Sequence, residues 1–236
     1  MKKSLLLFVS LFFLCPCFAD SKNLVYNESF NFQNIDSIQI SLTYEALKIQ
    51  QIYGDEIVIE IGSNNIKKIP AVSLQKQDDE ETCTLIIDSP NKKKSPGHNC
   101  TVYLYLPQDF LPKTISILSQ SGNIQADNLK AENAIHLKNI SGRTDCASCS
   151  TDFLTAVSVS GNLTLQKINV GYMNINNTSG NIFLELEKPF EAKSTVTDVS
   201  GKIQVYYKKN ESPFSDDSPD FVISTVSGKI ETVPFD

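Results

Sequence analysis

The pair Ser-Gly returns six times in the second half of the chain, as Ser121-Gly122, Ser141-Gly142, Ser160-Gly161, Ser179-Gly180, Ser200-Gly201 and Ser227-Gly228. Successive serines lie 20, 19, 19, 21 and 27 residues apart. A period near twenty residues marks a stacked repeat and restricts the fold more than anything else in the sequence. Only architectures in which one short unit lies on the next satisfy it.

Aligned on the glycine, the units alternate in polarity. Two residues after it come Ile124, Thr144, Leu163, Ile182, Ile203 and Ile230; four residues after it come Ala126, Cys146, Leu165, Leu184, Val205 and Thr232. Between these mostly apolar columns stand Gln125, Asp145, Thr164, Phe183, Gln204 and Glu231. That pattern is a strand with one face in a core and the other in water. Just before the serine-glycine bend, Ile140, Val159, Thr178, Val199 and Val226 are expected to face inward as well, with only Gln120 clearly polar in that column.

Each unit therefore bends at Ser-Gly between two strand pieces. The predicted architecture is a parallel β-solenoid, or β-helix, of about six turns stacked at the usual strand spacing of about 4.8 Å. The structural turn residues are Gly122, Gly142, Gly161, Gly180, Gly201 and Gly228, where a positive φ or a close backbone approach favours glycine. The serine hydroxyl is expected to cap the bend and to bond along the stack.

The chain ahead of the repeats reads as strands too. Runs such as "SIQISL" (Ser37 to Leu42), "EIVIEI" (Glu56 to Ile61), "CTLIID" (Cys83 to Asp88) and "TVYLYLP" (Thr101 to Pro107) alternate with period two. The last two flank a Lys-rich loop and predict an antiparallel hairpin. Tyr44 to Gln50 reads as strand rather than helix. The fold class is thus all-β: a strand-rich N-terminal region over residues 20–114 leads into a solenoid repeat region over 115–236.

Residues 1–19 read as a signal peptide. Lys2 and Lys3 precede an apolar run from Leu5 to Leu14, and Cys17-Phe18-Ala19 places small residues where a signal peptidase cuts. Export follows, to the periplasm, the cell surface or the medium. A lipoprotein acylated at Cys15 or Cys17 is a weaker alternative, because Leu14 and Pro16 are poor neighbours for that processing. No later segment approaches the roughly 20 apolar residues of a membrane-spanning helix.

Removal of the leader takes two lysines and no acid, leaving 19 basic against 27 acidic residues. Nucleic acid is not the expected partner: Arg143 is the single arginine, and the only dense basic run, Lys92-Lys93-Lys94, lies between loop signals. Among the four cysteines beyond the leader, Cys146 and Cys149 form C-x-x-C without the helix that a thioredoxin-like site requires. They read as a disulfide or a buried thiol pair, each replacing a core aliphatic in the aligned frame.

No catalytic set, metal site or cofactor site emerges. His136 is expected to point outward, and His98 falls in the Lys-rich loop. Asp216, Asp217 and Asp220 in the long last interval read as an exposed acidic loop rather than as calcium ligands. The outward column Asp127, Ala147, Gln166, Glu185, Tyr206 forms no carboxylate ladder of the kind that polysaccharide-cleaving solenoids use.

The order of "TVYLYLP", then "TISILSQSGNIQADNL", then successive "SGxI" turns resembles the bacterial "putative adhesin" family of exported β-solenoid proteins, a domain of unknown function. The resemblance covers residues 101–236 well and implies a cell-envelope or surface protein with no catalytic residues to carry over. The expected role is a non-enzymatic structural or interaction module, an adhesin in the broad sense, whose partner is an envelope, glycan or protein ligand. Two other readings stand beside it. One is an enzyme acting on envelope polysaccharide, with Asp145 or Glu185 at its site; the other is self-association through an uncovered solenoid edge.

Overall fold

In a computed structural model of the chain, residues 24–76, 82–89, 99–187, 194–208 and 221–235 are described. The leader, the Lys-rich loop with His98, and the acidic loop with Asp216, Asp217 and Asp220 lie outside them. Strands carry nearly all of the regular structure. They begin with β1 (Leu24–Asn31), β2 (Ile35–Leu42), β3 (Ala46–Ile52), β4 (Glu56–Ser63), β5 (Ala71–Lys76), β6 (Cys83–Asp88) and β7 (Cys100–Pro107).

The repeats follow as β8 (Thr114–Ser119), β9 (Ile124–Ala126), β10 (Leu129–Lys130), β11 (Ala134–Asn139), β12 (Thr144–Cys146), β13 (Cys149–Ser160) and β14 (Leu163–Ser179). The stack ends with β15 (Ile182–Leu186), β16 (Ser194–Ser200), β17 (Lys202–Lys208), β18 (Phe221–Thr225) and β19 (Lys229–Phe235).

Parallel pairing makes the coil. One face is the ladder β6, β2, β8, β11, β13, β14, β16, β18. A second face is β7, β3, β9, β12, β14, β15, β17, β19. A short third face stacks Leu129 on Cys149 and Cys149 on Ile168. The Ser-Gly bend is the corner between the first face and the second.

The predicted antiparallel hairpin of "CTLIID" and "TVYLYLP" does not form. β6 instead runs parallel to β2, and β7 parallel to β3. The two runs are the two sides of a coil below β2 and β3, and antiparallel β5 and β4 lie beyond them, with β1 on β4. Residue 114 marks a change of connectivity within one continuous ladder, since β2 and β3 pair directly with β8 and β9.

The core is a column of aliphatics from every coil. Ile40, Ile117, Leu137, Ala156, Ile175 and Val196 are buried on the first face, and Leu47, Ile124, Leu163, Ile182 and Ile203 on the second. Burying a side chain of this size contributes about 1.5–3 kcal/mol, so each added coil supplies several such terms.

One column departs from the expectation. Ile140, Val159 and Val199 are 39 %, 42 % and 43 % exposed, and Val226 is 79 % exposed. The residues one place earlier point inward instead: Ser119, Asn139, Ser158, Asn177 and Asp198, all buried. Inward positions after the glycine are the second and fourth, whereas before it they are the third, fifth and seventh. The corner inserts a one-residue phase shift, and strict alternation carried through it assigns the wrong face.

Candidate functional site: the corner and the first face

The corner is made by contact between glycines. A Cβ placed on Gly122 would fall 1.8 Å from the Glu45 carbonyl oxygen. On Gly142, Gly161, Gly180, Gly201 and Gly228 it would fall 2.6, 1.9, 2.2, 1.8 and 2.1 Å from the carbonyl oxygen of the glycine one coil earlier. Only Gly180 and Gly201 have φ in the left-handed region, at 125° and 156°. Close backbone approach is therefore the cause shared by all six, and positive φ is secondary. Ser121, Ser179, Ser200 and Ser227 each donate from Oγ to a carbonyl of the preceding coil at 3.1–3.5 Å.

Behind the glycines runs an inward polar ladder in register: Ser119, Asn139, Ser158, Asn177, Asp198, Thr225. All of these side chains but Asp198 satisfy corner backbone groups that no strand partner reaches. The Gly122 N–H donates to Ser119 Oγ at 3.0 Å and the Gly228 N–H to Thr225 Oγ1 at 2.9 Å. Asn139 Nδ2 donates to the Gly122 carbonyl at 3.1 Å, and Asn177 Nδ2 to the Gly180 carbonyl at 3.2 Å. At the base coil, where no glycine stands, buried Glu45 plays the equivalent part. Its Oε2 accepts from the Thr43 and Tyr44 N–H groups at 2.9 Å each, and its Oε1 accepts from Ser89 Oγ at 2.8 Å.

Asp198 is the ladder's unbalanced member. It is fully buried, and neither carboxylate oxygen has a partner in hydrogen-bonding geometry among the described residues. Desolvation pushes its pKa up, and the nearby Ser200 and Val199 amides and the Asn177 side chain offset only part of this.

Cys146 and Cys149 are free, buried thiols. Cys146 stacks between Ala126 and Leu165, and Cys149 between Leu129 and Ile168. Their mutual hydrogen bond, with burial second, pushes the Cys149 thiol well above its ordinary pKa. A thiol so placed is a poor nucleophile.

The carboxylates of the second face are individually engaged. Arg143 Nε lies 2.6 Å from Asp145 Oδ2, and Asp145 stacks between Gln125 and Thr164. Glu185 stacks beside Tyr206 and accepts from Gln166 Nε2 at 3.5 Å. Lys202 meets Glu231 at 2.7 Å and lowers its pKa. Neither Asp145 nor Glu185 has a carboxylate in register on a neighbouring coil.

The first face has a different surface. From β2 to β18 its two central outward columns, Gln39 to Val222 and Ser41 to Ser224, carry Ser, Thr, Gln, Asn, aliphatics, His136 and Lys138 and no Asp or Glu. Phe153 and Tyr172 lie beside them, and of the acids in these strands beyond Ser37, Asp198 points inward and Asp152 is exposed next to Phe153. The acids at the margins of the face are Glu132 and Asp152 at the corner that leads onto it, Asp36 at the start of β2, and Asp88 at the end of β6 in register with Ser41. Near its base, Gln39, Ser116, Leu118, His136, Lys138 and Thr155 help to line an open depression of about 520 Å³. Beside it Phe153, 53 % exposed, pairs with Tyr172 at a ring distance of 5.9 Å. Asn174 Oδ1 accepts from Asn176 Nδ2 at 3.0 Å and from Thr195 Oγ1 at 3.1 Å, which fixes the polar groups next to the rings.

These features define a parallel β-solenoid whose coils share a glycine corner and present ordered side-chain columns outward. The chain belongs to the Toastrack family (Toastrack DUF4097), which matches residues 35–231. A crystal structure of a "putative adhesin" from Bacteroides fragilis NCTC 9343 is similar with a TM-score of 0.52 and 15% identity, over 88% of this chain and 96% of that one. A "putative cell adhesion protein" from Clostridium sporogenes ATCC 15579 gives 0.48 and 13%, over 89% of this chain and 99% of that one. No curated protein matches the sequence. Among the described residues no helix is long and apolar enough to cross a membrane.

Proposed function

We propose that the protein is an exported, non-enzymatic cell-envelope solenoid that serves as a structural or interaction module, an adhesin in the broad sense. The observation that carries this reading is the first face. It is a rigid, regularly spaced array of hydroxyl, amide and aromatic groups held on strands, with its polar groups tied to one another. A scaffold of this kind suits recognition by many modest contacts. The name of the similar Bacteroides fragilis structure, a "putative adhesin", points the same way.

The enzymatic alternative draws no support from the carboxylates, because Asp145 is tied to Arg143 and Glu185 to Gln166. Glycoside hydrolysis needs two carboxyl groups within about 10 Å across a shared groove. The test is a binding screen of the purified protein against isolated envelope fractions, together with adherence of a deletion strain. Specific envelope binding and an adherence defect are expected; absence of both would overturn the reading.

A further inference from the structure

We propose that the first face is a binding site for an acidic glycan chain, lying along the stack across β8 to β16, a proposal that rests on the interaction reading above. Three observations meet on this face. The first is the aromatic shelf: Phe153 and Tyr172 are in-register neighbours on adjacent coils, with their rings tilted by 57°. With Phe153 exposed and Tyr172 half-buried, the pair offers the apolar flank of a sugar ring a contact at little entropic cost.

The second is the supply of directional groups. Thr155, Asn174 and Thr195 are successive members of one outward column, and Lys138, Val157, Asn176 and Thr197 of the next. Coils repeat at about 4.8 Å, comparable to the advance of one sugar along a polysaccharide. A chain laid parallel to the stack axis therefore meets a hydroxyl or amide partner at each coil from Thr155 to Thr195, with a second one at Asn176 and Thr197.

The third is charge. The whole chain has a net charge of -6, yet the two outward columns from Ser116 to Thr195 and from Leu118 to Thr197 hold His136 and Lys138 and no carboxylate, Asp152 standing at the edge of the face beside Phe153. Sites for neutral sugars commonly use carboxylates as acceptors for sugar hydroxyls; an acid-free floor with a lysine and a histidine instead complements carboxylate or sulfate groups on the ligand. Lys138 and His136 line the depression into which such a group fits, next to the shelf. Charge-assisted bonds there add to the stacking and make the interaction sensitive to salt.

The test is titration calorimetry of the intact exported chain with polygalacturonate oligomers, against dextran oligomers of matched length, single-stranded polyuridylate and phosphatidylglycerol vesicles. Polygalacturonate is expected to bind and to weaken at least several-fold between 50 and 300 mM salt, as its charge contacts with Lys138 are screened. Phe153→Ala and Lys138→Glu are each expected to lower affinity roughly tenfold or more, whereas Lys130→Glu, the same charge change on the third face, leaves it intact. Phe153 and Lys138 are both exposed, and circular dichroism confirms that the variants fold.

No binding of polygalacturonate, equal binding of dextran, polyuridylate or vesicles, or indifference to both variants would overturn the proposal. If the doubly substituted protein still binds envelope fractions as the parent does, the acidic-glycan site fails while the interaction reading stands. If the parent binds neither, both fail.

Discussion

Replacing Gly161 by alanine tests the corner directly. Its Cβ would lie 1.9 Å from the Gly142 carbonyl oxygen, and since Cβ atoms do not approach heavy atoms within 3.0 Å, the two coils must part by at least about 1.1 Å. The atom it meets is backbone and the Cβ itself is fixed by its own backbone, so no side chain can swing away. That displacement breaks the Ser160 N–H to Ile140 carbonyl bond, now 2.8 Å, and the Thr144 N–H to Asn162 carbonyl bond, now 3.0 Å. Two lost bonds at about 1 kcal/mol each, with overpacking strain of about 1–3 kcal/mol, give a cost of about 3–5 kcal/mol. Gly142→Ala is the internal comparison, because its Cβ would lie 2.6 Å from the Gly122 oxygen and demands a shift of only about 0.4 Å. Urea denaturation reads the total loss, and hydrogen exchange at residues 158–165 reads its location. A Gly161→Ala protein within 1 kcal/mol of the parent, or a larger loss for Gly142→Ala than for Gly161→Ala, would refute close approach as the reason for glycine.

Other perturbations probe the interior. Because burial raises the Asp198 pKa, the stability it contributes is fully present below its unfolded pKa of about 3.9 and is lost as pH rises through the folded value. Asp198→Asn, which restores the amide found at Asn139 and Asn177, should remove that slope and stabilise the protein at pH 7 by roughly 1–3 kcal/mol in urea melts; a destabilised variant would contradict the account of the ladder. Glu45→Ala leaves the buried Thr43 N–H, the half-buried Tyr44 N–H and the Ser89 hydroxyl without this acceptor and should cost about 3–5 kcal/mol, with exchange accelerated first around residues 41–47. The Cys146 and Cys149 thiols should resist iodoacetamide in the folded protein at pH 8 and react fully in urea; rapid labelling of the native protein would place them at the surface.

The solenoid was legible because its cause is local and repeated. A glycine every 19 to 21 residues, followed by apolar residues at the second and fourth positions, reports both the stack and the inward side of β9, β12, β15 and β17. The ladder before the corner was not legible from hydropathy. Asn139, Asn177 and Asp198 read as surface residues, yet the corner backbone needs inward polar groups, and the phase shift turns Ile140, Val159 and Val199 outward. One signal was present: the third place before each glycine holds Ser119, Asn139, Ser158, Asn177, Asp198 and Thr225, an unbroken run of small polar residues. The pairing of β6 and β7 with β2 and β3 was hidden for another reason. Two strands flanking a loop look alike in sequence whether they pair with each other or with a third element.

The interaction face leaves a fainter trace. His136 stands outward where alternation places it, but Phe153 and Tyr172 come together only because successive coils are in register. Nothing within either strand's own sequence announces the pair.

The glycine corner also governs where this chain tolerates extra length. Between Gly201 and Gly228 it spends 27 residues, against 19 to 21 elsewhere, and Gly228 still returns to the Gly201 carbonyl. The corner behaves as a detent: the path between two clicks is free to lengthen, while the click itself admits no addition. Insertions and grafted peptides should therefore be accepted between the faces and rejected within a residue or two of any Ser-Gly, so that the repeat divides the surface into positions open to change and a single line that is closed to it.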